Sequence, residues 1–235
     1  MALFSPEHIA AIVATALAAL LLVVAARRVD DQAATSLARA LAIVILAGFV
    51  VEHATYLARG TWTVRVNLPL QLSDAVTLVA LAALWTPRVG LLTELVYFWA
   101  LSASLQAVLT PDLGDTFPDV LYFTFVVVHA GAIAAACLLV FGIRHLPRRG
   151  AVWRVYAITI VFAALAAIGC LVTGGNYMFL RRKPAGGSIL DLFGPWPWYI
   201  LGAAVLGLAL LLVLAALARI GAHTGSARRA AENGR

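Results

Sequence analysis

Charge is what this chain has least of. Asp, Glu, Lys and Arg make up 12% of its 235 residues against 63% hydrophobic, and the mean hydropathy is +0.96. A water-soluble domain of that composition could not hide its apolar surface, so a soluble globule is excluded and an all-α polytopic membrane protein is expected. Cysteine is nearly absent. Cys137 and Cys170 both lie inside apolar runs, where a small buried hydrophobe is the expected role rather than a disulfide or a thiolate metal site. There is no Gly-x-Ser-x-Gly elbow, no His-Glu-x-x-His and no phosphate-cradling glycine loop, and the scattered histidines lack metal-ligand spacing, so neither metal nor other cofactor is expected. Internal repeats and the paired broken helices of inverted-repeat transporters are likewise not visible.

The net charge of +6 and the pI of about 9.9 would suggest nucleic acid in a soluble protein. Here the basic residues sit between apolar runs and at the C-terminus, and they read as topology signals; membrane lipids are the expected partners and nucleic acid is not. The composition sets no oligomeric state.

Apolar runs of about the 20 residues that cross a bilayer fall at 8–26, 37–58, 68–85, 89–109, 117–143, 152–173 and 197–220. They predict a seven-transmembrane helix bundle over 1–221, followed by a disordered, basic cytoplasmic tail over 222–235. The first run has no basic segment before it, starts on Ser5-Pro6-Glu7 and ends on Arg27-Arg28, so it reads as a span rather than a cleaved signal peptide. An N-out, C-in arrangement leaves only Arg59, Arg65, Arg181, Arg182 and Lys183 of the 17 Lys and Arg residues outside, as the positive-inside rule requires.

Within this apolar background Asn67-Leu68-Pro69-Leu70-Gln71-Leu72-Ser73-Asp74 stands out. Unsatisfied polar groups in hydrocarbon cost several kcal/mol, so an intramembrane polar cluster is a candidate functional site. Read as a helix, Asn67, Gln71 and Asp74 share one face. Glu52, His53, Gln106, His129 and Asn176 fall at the same outer depth, while Glu94 and Tyr97 lie toward the other side as a separate polar contact. A carboxylate in a membrane needs a partner, which makes His129 or His53 the expected neighbour of Asp74 or Glu52. Each residue also has a structural role open to it: a buried histidine can bond a carbonyl of a neighbouring helix, and a transmembrane Ser or Thr usually bonds back to its own helix. Two chemistries fit the set. In one, Ser73 is a nucleophile, His129 its base, Asp74 or Glu52 orients the imidazole, and Gln71 or Asn67 donates to an oxyanion. In the other, the same cavity binds a lipid head group or small solute without covalent chemistry. Arg181, Arg182 and Lys183, on the outer side against the positive-inside trend, are expected to meet lipid phosphate at its mouth.

The order of the 67–74 stretch, Leu109-Thr110-Pro111-Asp112-Leu113, His129, Asn176-Tyr177-Met178-Phe179-Leu180 with Lys183-Pro184, and Gly194-Pro195-Trp196-Pro197-Trp198-Tyr199 resembles the YwaF-type bacterial integral membrane proteins. That family is similar, distantly, to the animal transmembrane-protein-164 lipid acyltransferases. The resemblance implies seven helices in a bacterial plasma membrane, and a nucleophile on one helix with a histidine two helices later, which maps onto Ser73 and His129. The function it implies is a lipid acyltransferase or ester hydrolase working in the outer leaflet; the alternative is a non-catalytic lipid or solute binder or carrier.

Overall fold

The computed structural model describes residues 3–111, 114–184 and 188–233, with side chains as far as Ile220. Among the described residues there are helices and no strands. They are named here α1 (Pro6–Arg28), α2 (Asp31–Ala58), α3 (Leu72–Trp85), α4 (Gly90–Leu109), α5 (Val120–Gly142), α6 (Ala151–Thr173) and α7 (Trp198–Asn233), with short 3-10 turns at Tyr177–Phe179 and Ile189–Phe193. Six are long and apolar enough to cross a membrane: α1, α2, α4, α5, α6 and the Trp198–Ile220 part of α7. The tail expected to be disordered, 222–235, lies outside the residues whose side chains are described.

The helix starts follow from sequence chemistry. Ser5 caps α1 by accepting from the His8 N–H with Pro6 in the first turn, Asp30 caps α2 through the Ala33 N–H, and Asp119 caps α5 through the Leu121 N–H. The third helix departs from expectation. It begins at Leu72 and has 14 residues, about 21 Å at 1.5 Å per residue, where the apolar run suggested a start at residue 68. Pro69 has no N–H and pushes Leu68 toward extended backbone, and the Asn67 side chain accepts from the Thr63 N–H at 2.9 Å, closing a turn that competes with helix. Asn67 and Gln71 therefore do not share a helical face with Asp74.

The core is built around α5, which packs on α1, α2, α3 and α4. Small residues make the approach close. Ala34, Ala38, Ala42, Ile45 and Gly48 form the buried stripe of α2, and a Cβ on Gly131 would run into Ile45 as one on Gly48 would run into Val127; in lipid, where apolar surface gains little from leaving its solvent, such packing carries helix association. Polar ties add to it. The His8 Nε2–H donates to the Val108 carbonyl at 2.9 Å, the Tyr122 hydroxyl to Glu7 at 2.7 Å, the Trp99 indole N–H to the Thr159 hydroxyl at 2.8 Å and the Tyr97 hydroxyl to Leu214 at 2.9 Å. Wide π-type turns interrupt α4 at Ala100–Ser104 and α5 at Leu138–Gly142, and the Phe141 carbonyl of the second accepts from the Arg27 Nε–H at 2.9 Å. Helices α6 and α7 pack along one edge and leave Leu171, Val172 and Val205 exposed. One end of the bundle gathers the connections 59–71, 110–119 and 174–197; the opposite end gathers 29–30, 86–89 and 143–150.

Candidate functional site

The polar stretch 67–74 lies at the first of these ends, where the loop after α6 folds over it. Tyr177, fully buried, donates its hydroxyl to the Val64 carbonyl at 2.6 Å and accepts from the Leu68 N–H at 3.2 Å. Its own N–H donates to the Cys170 sulfur at 3.1 Å, so this cysteine is both a small core residue and an acceptor. The Gln71 Oε1 accepts from the Met178 N–H at 2.7 Å, and Met178 stands at a left-handed φ of 51°. Asn176 organises the same loop: its Oδ1 accepts from the N–H groups of Arg181 at 3.0 Å and Arg182 at 3.1 Å, and its NH₂ donates to the Arg182 carbonyl at 2.9 Å. Glycine is required at 175, where a Cβ would strike the Arg65 carbonyl.

The first turn of α3 carries Ser73 and Asp74. Gln71 is its N-cap residue and provides no side-chain cap. Asp74, third in the helix, lies beside the Gln71 backbone N–H and the Ser73 hydroxyl, at the position of the acidic member of a capping box. The helix start leaves its first N–H groups without intrahelical partners, and that of Ser73 is among them. Glu52 reaches Asp74 electrostatically from α2, with Tyr56 beside both and His53 next to Glu52. Among the described residues neither carboxylate has a Lys or Arg ion-pair partner, and no hydrogen bond joins either to a histidine.

His129 and His53 share one arrangement. Each ring bonds through Nδ1 to the carbonyl four residues earlier in its own helix, Phe125 at 2.9 Å and Phe49 at 3.1 Å. Each also lies against that residue's phenyl ring, with centroids 4.2 and 4.3 Å apart. The carbonyl expected on a neighbouring helix is thus an internal one. A carbonyl only accepts, so Nδ1 carries the proton and Nε2 keeps a lone pair. Ser73 and His129 share no hydrogen bond. The contacts of Gly131 with Ile45 and Gly48 with Val127 set α2 and α5 antiparallel in a register that places Glu52 near residue 124 of α5; His129 is five residues, or about 7.5 Å, deeper.

The remaining expected site residues lie at the rim. Gln106 is exposed and donates to the Thr110 hydroxyl at 2.6 Å. Lys183 pairs with Asp191 at 3.2 Å under the Tyr199 ring, Arg181 reaches the Gly175 carbonyl at 3.4 Å, and the Arg182 side chain is exposed. The Ser188 N–H and the Lys183 ammonium hold the Asp191 carboxyl below the usual carboxylate range. Ser102 and Thr77 bond back to Phe98 and Ser73 carbonyls, the structural role expected of them. Tyr56 and Tyr177 were not singled out by the sequence. Tyr56 stands at i+4 from Glu52, a helical spacing that marks it as a neighbour; nothing local marks Tyr177 as the closure of the 62–71 segment.

At the opposite end Glu94 forms the separate contact expected of it. It is 1% exposed and accepts from Arg148 Nε at 2.8 Å and Nη2 at 3.2 Å, and from Arg154 Nη2 at 2.8 Å and Nε at 3.2 Å. Among the described residues no group of three or more His, Cys, Asp or Glu side chains is placed to hold a metal ion.

A family model described as the TMEM164 family matches residues 3–215. No curated protein and no solved structure matches the chain.

Proposed function

We propose that this chain, which belongs to the TMEM164 family, is a lipid acyltransferase or ester hydrolase with Ser73 as its nucleophile. The observation that carries the reading is the first turn of α3: a serine hydroxyl beside a carboxyl, next to backbone N–H groups without a side-chain cap and a Gln71 amide anchored through its oxygen by the Met178 N–H. The Ser73 Oγ attacks an ester carbonyl of the lipid, its O–H proton passes to a base, and the new oxyanion is met by the Ser73 N–H and the Gln71 NH₂. Collapse breaks the ester C–O bond, the departing oxygen takes the proton, and an acceptor hydroxyl or water then attacks the acyl-serine in the same way. His129 is the base, with the lone pair on Nε2; no direct hydrogen bond joins it to Ser73, so a bridging water carries the proton between them. Asp74 orients the hydroxyl. Glu52, His53, Asn67, Gln106, Asn176, Arg181, Arg182 and Lys183 form the wall and rim against which the lipid lies.

The same proposal sets the chain in a bacterial plasma membrane with seven spans, N-terminus out and C-terminus in. Short α3 is the seventh span, completed by the 62–71 segment, whose irregular backbone is sheltered under the Tyr177 loop as non-helical backbone at that depth must be. A second reading, a non-catalytic lipid or solute binder, is favoured by one observation: Asn67, Gln71 and Asn176 each spend an oxygen on a backbone N–H. Fluorophosphonate labelling of the chain in lipid nanodiscs separates the two. Catalysis expects labelling that both Ser73→Ala and His129→Ala abolish while the thermal midpoint holds; a folded wild type that takes no label leaves the binder.

A further inference from the structure

A cavity of about 290 Å³ lies at the end of the bundle opposite Ser73, between the start of α6 and α7. Its wall has two characters. Leu212, Ala215 and Ala216 line the cavity from α7 in one stripe with Arg219, and Arg148 and Trp153 line it from the start of α6. The two guanidiniums differ in what they have left to give. Arg148 commits Nε and Nη2 to Glu94, which fixes its plane, and the side chain is 56% exposed, with Nη1 making no hydrogen bond among the described residues. Arg219 is exposed and makes no ion pair among the described residues. Since Glu94 is already matched by Arg148 and Arg154, this cluster holds one positive charge in excess, to which Arg219 adds a second. Next to it, sharing Leu146, is a cavity of about 280 Å³ lined by Arg88, Thr93 and His145, and the buried His145 Nδ1 has no hydrogen-bond partner. Positive charge in excess of its carboxylate, beside an apolar wall, matches the chemistry of an anion attached to hydrocarbon.

We propose that this cavity binds a phosphate group between Arg148 and Arg219, with the apolar wall taking the glycerol and upper acyl chains when the phosphate is that of an anionic lipid headgroup. The site is separate from the Ser73 chemistry and does not depend on it. Two guanidiniums gripping one phosphate give charge-assisted, bidentate hydrogen bonds, and the small side chains of Ala215 and Ala216 leave the room beside Trp153 that an acyl chain needs.

The test uses the full chain, delipidated in detergent, with phosphatidylglycerol, diacylglycerol and inorganic phosphate as probes by native mass spectrometry and titration. Arg219→Gln removes a charge, and Ala216→Trp fills the apolar side; both positions are exposed, and the thermal midpoint reports that each variant folds. Phosphatidylglycerol retained over diacylglycerol, about tenfold more weakly in Arg219→Gln, lost in Ala216→Trp and unchanged in Ser73→Ala, is the result expected for a lipid phosphate. Arg219-dependent binding of inorganic phosphate that Ala216→Trp leaves intact, without preference for the lipid, supports the site and assigns it to phosphate in solution. Equal retention of phosphatidylglycerol and diacylglycerol, or wild-type affinity in Arg219→Gln, overturns the proposal.

Discussion

The two ends of this bundle treat buried carboxylates in opposite ways. At one end Glu94 lies inside a cage of two guanidiniums that between them supply four side-chain hydrogen bonds within 3.2 Å. At the other, Glu52 and Asp74 lie within electrostatic reach of each other and of Tyr56, and among the described residues no cation pairs with either. A carboxylate matched by two guanidiniums fastens α4 to the loop leading into α6, through Arg148, and to α6 itself, through Arg154. Two carboxyl groups without a cation beside a serine are costly to keep in a membrane, and a fold tolerates them where the groups are used. The contrast supports chemistry at the Ser73 end and architecture at the Glu94 end.

Removing the cage is the strongest way to break that contrast. The double variant Arg148→Ala/Arg154→Ala strands Glu94 without a counterion, and the expected loss is about 3–5 kcal/mol in thermal or denaturant unfolding in detergent. Each single variant costs much less, because the other arginine stays. At the other end the sign reverses: Glu52→Gln and Asp74→Asn replace buried carboxyls that no cation pairs with by neutral amides, so the thermal midpoint holds or rises while serine labelling falls. Destabilisation by Glu52→Gln as large as that of the double variant would erase the distinction between the ends.

The second effect is smaller and tests how the Ser73 end is held. Tyr177→Phe leaves the Val64 carbonyl and the Leu68 N–H without their shared partner, at an expected cost of about 1–3 kcal/mol. Labelling of Ser73 falls with it, since that hydroxyl fixes the approach to α3. A stability loss with full labelling would show that the loop fastens the fold without positioning the serine.

How much of this was readable beforehand differs between helix and loop. The long apolar runs announced α1, α4, α5 and α6 within a few residues, because in lipid an apolar run of this length satisfies its backbone as a helix, while α2 starts six residues earlier and α7 continues beyond the expected end at 220. The start of α3 was not readable by the same rule, since Pro69 and the side chain of Asn67 satisfy the backbone in another way over 63–71. Glu94 could be seen as a separate contact, but Arg148 and Arg154 looked like topology signals, and only tertiary packing turns them onto one carboxylate. Tyr177 meets Val64 across 113 residues of sequence, and no periodicity records a pairing at that range. For His129 the type of bond was foreseen and the owner of the carbonyl was not.

The smallest effect lies on the rim of the Ser73 end, where carboxylates do have a cation. Asp119 accepts from Arg59 Nη2 at 2.9 and 3.1 Å and caps α5 through the Leu121 N–H at 2.8 Å. The Arg59 guanidinium, helped by that N–H, holds the Asp119 carboxyl below its ordinary range. A carboxyl whose folded value is depressed contributes stability above its unfolded value of about 3.9, and the contribution is lost as pH falls through the lower folded value. Protection of the Leu121 amide from hydrogen exchange is therefore expected to persist to below pH 4 and then fall, with little change in global stability because the pair is solvent-exposed. Arg59→Gln removes the first of the two causes, so protection is lost at a higher pH than in the wild type. If the two proteins lose it at the same pH, the cap alone sets the value, and the rim pair does not compensate charge at all, which would make the Ser73 end uncompensated from its buried carboxylates out to its edge.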